Sequence, residues 1–239
     1  SKWPHQRVLM KFFKGRYVMK SFAAIKLMLG LVCLVPCALL SAKPYFPINT
    51  IFGEDDQSIG KVEMPKDVQQ LTDFASKFGF LPPLNWKLAF HEMQGDMFMA
   101  EFIPANETLN DWSGLVCMQG FKGLANDIER QKFLDGMADT YAENCDGKVI
   151  YTVLGTSKVE GLNAVHGILG CTVIPNIHHA SIFVEKDFAS IPKGEIGFFT
   201  VVSGSQDLYL LHKSIRQAVF RENEPPINAN NYREFMANN

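Results

Sequence analysis

No Cys-x-x-Cys pair, no glycine-rich phosphate loop and no internal repeat occurs in this 239-residue sequence. Each absence excludes something. Without Cys-x-x-Cys there is no thioredoxin-like redox motif and no short-spaced zinc site. Gly155, Gly161, Gly167 and Gly170 are wrongly spaced for a phosphate cradle, and no helix follows them. Without a repeating period of 20–50 residues the chain is no solenoid or propeller. Basic residues are also scarce where nucleic acid would need them. Residues 1–42 hold seven Lys/Arg and no acid, which leaves 16 basic against 25 acidic residues downstream, a formal charge of −9. So acidic a remainder does not suit phosphate backbones or an anionic membrane surface.

What is present begins with an export pattern. A basic stretch from Met10 to Lys20 leads into the apolar run from Leu27 to Leu40, broken by Pro36 and followed by Ser41, Ala42 and Lys43. Charged start, apolar middle and small residues before a cut are the order of a secretory signal peptide. The run is shorter than the ~20 residues a comfortable membrane helix needs. Residues 1–42 are therefore expected to be a cleaved signal, with Met10 or Met19 as alternative starts. Residues 43–64, Pro- and acid-rich, read as an extended lead-in, and residues 65–239 as one globular domain. The expected location is periplasmic or extracellular, with no stable membrane association after cleavage.

An oxidising compartment makes a disulfide relevant. Downstream of the signal stand Cys117, Cys145 and Cys171. Three thiols allow one bridge at most, and the spacings leave its partners open.

Periodicity outlines the domain. Val68, Leu71, Phe74, Ala75 and Phe78 mark a short helix over 65–78, stopped by Gly79. Residues 86–93 and 97–103 read as a β-hairpin, with Phe90, Phe98 and Phe102 on one face. Residues 115–121 read as a strand. Residues 127–144 read as the best helix, capped by Asp127. Strands follow at 149–154, 162–174, 181–185 and 194–202. Leu208, Leu211, Ile215 and Val219 then suggest a second principal helix over 207–220, capped by Ser205 or Asp207, and a last turn falls at 232–236. The class is α+β: a mainly antiparallel sheet packed with two principal helices.

The stretches Glu101-Phe-Ile-Pro-Ala-Asn-Glu-Thr-Leu-Asn-Asp-Trp112 and Gly194-Glu-Ile-Gly-Phe-Phe-Thr-Val-Val202 onward to Arg216 carry a resemblance. They resemble elements of small exported Gram-negative proteins of unknown function, whose layout is similar to the Mog1/PsbP-like α/β/α sandwich. The resemblance implies an exported globular protein and supplies no catalytic residues.

Candidate chemistry is sparse. His178 and His179, with His166, Glu185 or Asp187, are the weak metal candidates. Adjacent histidines in a strand point to opposite faces, which argues against one ion taking both. His166 alternates with Leu162, Ala164 and Ile168, as a core histidine would. Ser203-Gly-Ser205 departs from the nucleophile-elbow pattern. Asn106-Glu-Thr108 fits a glycosylation sequon that a bacterial-type signal makes incidental. Asp55-Asp56 lies in the lead-in, where nothing would shift its acidity. Trp86, Trp112 and Phe98 would fill the core or line a pocket. Arg216, Arg221 and Arg233 would bind a carboxylate or lie solvated. No cofactor is called for. The expectation is a non-enzymatic exported accessory protein that binds a protein or a small apolar ligand, with a secreted hydrolase or a host-directed effector as alternatives.

Overall fold

Seven strands form one antiparallel sheet in a computed structural model that describes residues 64–176 and 191–237. The expected signal, almost all of the expected lead-in and the strand expected at 181–185 lie outside the described residues.

Helix α1 (Lys66–Ser76) starts behind Pro65, with Asp67 in its first turn, where the positive end of the helix favours an acid. Val68, Leu71, Thr72 and Ala75 make its buried stripe. Gly79, at φ +82°, ends the segment, and Phe80 N–H returns to the Ala75 carbonyl. Strands β1 (Trp86–Gln94) and β2 (Met97–Pro104) form the expected hairpin around Gly95-Asp96. Their faces differ from the expectation. A bulge between Leu88 and Phe90 shifts the register, so Leu88 faces Phe102 but Phe90 faces Glu101. One extra residue inverts the alternation. Phe90 therefore packs against the cluster that holds Trp112 and Leu115, while Phe98 and Phe102 pack on the opposite face.

After β3 (Gly114–Phe121) a 3₁₀ turn (Leu124–Asn126) precedes helix α2 (Arg130–Asn144). Asp127 closes that turn instead of capping the helix, which begins three residues later behind Glu129. Phe133, Leu134, Met137 and Tyr141 are its buried stripe. Strands β4 (Val149–Val159) and β5 (Leu162–Cys171) join through Glu160 and Gly161, both at positive φ (48° and 84°), the two-residue turn that suits strand twist. Strands β6 (Lys193–Ser203) and β7 (Leu208–Ala218) complete the sheet, and the short helix α3 (Tyr232–Ala237) ends the described chain.

β7 is the main correction. The segment expected as a second helix is a strand between β3 and β6 in the order β1-β2-β3-β7-β6-β5-β4. Leu208, Leu210 and His212 face one side, and Leu211 and Lys213 the other, all buried. Apolar residues on both faces of a central strand mimic a helical stripe. No helix follows Ser205 or Asp207, so neither caps one.

The layers follow. α2 packs on the face that shows Phe199, Val201, Leu208 and Leu210. α1 packs on the other face, over Phe198, Val202 and Leu211, with α3 beside it. The Cys145–Cys171 disulfide joins the end of α2 to the end of β5, and Cys117 is a buried free thiol. A double Cys145→Ala, Cys171→Ala variant should be less stable by about 3 kcal/mol, since the bridge closes a loop of 26 residues. Urea unfolding of both proteins measures the difference, and peptide mapping without reductant checks the pairing.

Candidate functional site

The α2 face carries a polar row across strands β2, β3 and β7. Register sets Glu101 beside Cys117 and Cys117 beside His212. His212 Nδ1 lies 3.0 Å from Ser214 Oγ, and its ring stacks on Phe199 at 4.6 Å. Gln119 donates to Met99 Sδ and Cys117 Sγ at 3.4 and 3.5 Å. Thiol, imidazole and carboxylate in one row suggest a nucleophile, but the thiol is sealed in. Burial pushes Cys117 well above its ordinary value, and the Glu101 charge adds to the rise. A neutral, inaccessible thiol does no nucleophilic chemistry.

A second buried group lies at the end of the same face. Arg216 Nη1 is 3.5 Å from Glu195 Oε2, and Nη2 donates to the Ile174 carbonyl at 2.9 Å. Tyr141 donates to Glu195 Oε1 at 2.7 Å, and burial first, then the Glu195 charge, raises the phenol well above its usual range. Arg216 thus binds a carboxylate of its own chain. Arg221 and Arg233 are exposed.

On the opposite face His166 is half-buried and stacked on Phe198 at 5.6 Å. Its Nδ1 lies 2.8 Å from Thr200 Oγ1 and its Nε2 2.7 Å from Ser157 Oγ. Thr200 is fully buried, and His166 is the one acceptor its hydroxyl reaches among the described residues. An unmade buried donor is costly, so Thr200 donates to Nδ1 and Nε2–H donates to Ser157. That tautomer gives Ser157 no base. His178 and His179 lie outside the described residues. Among those described, no group of three His, Cys, Asp or Glu side chains could hold a metal ion.

The two faces differ in what they leave open. Between α1 and the sheet end formed by the β1–β2 turn, β3 and β7 lies a cleft of about 380 Å³. Leu71 and Phe74 come from α1, Met93 and Phe98 from the hairpin, and Tyr209 from β7. Phe74 and Tyr209 are in ring contact at 4.2 Å. Asp67, Gln70, Asp96, Lys122 and Asp207 are the polar residues of its wall. Asp207 accepts from Gly123 N–H at 2.8 Å, and burial with the Asp207 charge raises the Tyr209 phenol.

Of the three aromatic residues weighed from sequence as core or pocket (Trp86, Trp112 and Phe98), only Phe98 lines this cleft. Trp112 is buried on the α2 face, where its Nε1 donates to Asn176 at 3.2 Å, and Trp86 packs over Gly114. Phe74, Met93, Lys122 and Tyr209 had no signal as a site. They come from four segments whose meeting depends on β7 being a strand.

No protein-family model and no curated protein matches the chain. Among solved structures, the crystal structure of human STARD10 aligns with 74% of this chain and 76% of its own, at 11% identity and a TM-score of 0.29. A similarity of that size carries neither fold nor function.

The half-buried imidazole makes stability depend on pH. Burial holds His166 below its ordinary value of 6.5, so below that pH the unfolded chain binds the proton first. Its contribution to stability is full above about pH 6.5 and is lost as pH falls further. Urea midpoints measured from pH 8 to 5 should fall for the native sequence below 6.5, and His166→Gln should lack that component.

Proposed function

We propose that this protein is a non-enzymatic accessory protein that holds a small apolar ligand in the cleft between α1 and the end of the sheet. The observation that carries this reading is the cleft itself: about 380 Å³ with Leu71, Phe74, Met93, Phe98 and Tyr209 along it. Binding sites for small molecules are concave and mostly apolar, with few polar groups. The described residues contain no helix long and apolar enough to cross a membrane.

The place of action in this reading is an oxidising compartment reached through the 1–42 signal. The Cys145–Cys171 bridge supports it, because such bridges persist outside reducing cytosol. Mass spectrometry of protein released by an expressing cell should give Lys43 as the first residue. An intact 1–42 segment on the released protein would count against it.

Gly120 offers a clean test of the cleft. A Cβ at this position would meet the Tyr209 ring at 3.6 Å, ordinary contact. Gly120→Val therefore has room for its Cβ and adds two methyl groups at the wall, which narrow the cleft. Nile red fluorescence should rise on titration with the native sequence and need several-fold more protein to reach the same signal with Gly120→Val, at a thermal midpoint within a few degrees. Equal binding by the two proteins, or none by the native one, would overturn the reading.

A further inference from the structure

The wall of the cleft is uneven in charge. Asp67, Asp96 and Asp207 set three carboxylates on it, against the single ammonium of Lys122. Three different segments supply them: the first turn of α1, the β1–β2 turn and the loop before β7. None of the three makes a salt bridge among the described residues. Two are held in place by backbone: Asp67 Oδ1 accepts from Val68 N–H at 3.0 Å, and Asp207 Oδ1 accepts from Gly123 N–H at 2.8 Å. The second carboxylate oxygen of each accepts no hydrogen bond among the described residues. Asp96 is exposed at the tip of its turn.

Resting on the ligand-binding reading above, we propose that the ligand is an organic cation, an apolar body that carries an ammonium group. The apolar wall takes the body, and the carboxylates face the charge. The rings add a second attraction. Phe74, Phe98 and Tyr209 line the same space as the carboxylates, and a cation over a ring face is stabilised by the ring quadrupole. An anionic amphiphile of equal size meets three like charges and gains one contact with Lys122. A neutral one gains the apolar wall alone. Charge complementarity thus separates three ligands that share the same hydrocarbon.

Isothermal titration of the full chain with octyltrimethylammonium, 1-octanol and octanoate, all below micelle formation, tests the assignment. The cation should bind about tenfold tighter than octanol, the order expected of one or two screened charge pairs with a ring contact. Octanoate should bind most weakly. In Asp67→Asn with Asp96→Asn the cation's advantage should shrink to about twofold while octanol binds as before, and 0.5 M salt should shrink it in the native sequence. Equal affinity for cation and octanol, or tightest binding of octanoate, overturns the cation assignment and leaves the apolar-ligand reading standing. No binding of any of the three overturns both.

Discussion

The central strands β6 and β7 are buried on both faces, and the rest of the structure is arranged to cover them. From Gly194 to Val202 every residue of β6 is buried, and β7 is buried or nearly so as far as Arg216. Such a pair cannot face water on either side. It therefore needs a layer above and a layer below, which α2 on one face and α1 with α3 on the other provide. The tightness of the pair shows at Gly197, where a Cβ would collide with Ser214 Oγ and the Lys213 carbonyl.

Burying both faces creates a polar problem, because these two strands also carry Glu195, Thr200, His212, Lys213, Ser214 and Arg216. A buried polar group without a partner costs more than a hydrogen bond returns. The structure meets each locally. Glu195 takes Arg216 and Tyr141, and Thr200 takes His166. Lys213 donates to the Phe235 carbonyl at 3.1 Å and lies 5.0 Å from the Phe235 ring, which fastens α3 to the sheet. Tyr232 stacks on Phe198 at 5.3 Å and does the same one turn earlier. Two polar residues of the centre, Glu195 through Tyr141 and Lys213 through Phe235, thus fasten α2 and α3 to the sheet.

The cleft lies where that coverage stops. α1 reaches the end of the sheet at Asp67 and Gln70 but leaves space against Phe98, Gly120 and Tyr209. Gly120 matters for a plain reason: it has no side chain to occupy the gap. From sequence it is an ordinary glycine inside a strand. Its neighbours there are Phe98 across β2 and Tyr209 across β7, set by register alone.

Local chemistry was legible without coordinates. Gly95-Asp96 and Glu160-Gly161 mark their hairpins, the stripes of α1 and α2 stand out by spacing, and the acidic balance after residue 42 is a matter of counting. The α+β class follows from these pieces. What needed the tertiary structure is whatever depends on a neighbour distant in sequence. The segment Leu208–Ala218 satisfies a helical stripe and a doubly buried strand equally well, and only its place between β3 and β6 decides for the strand. The side of the sheet on which Phe90 packs depends on one bulge. The pairing of Cys145 with Cys171, and not with Cys117, depends on where α2 and β5 end. The cleft depends on all of these together. Periodicity and turn preference act over a few residues, whereas burial is settled by contacts across the whole fold.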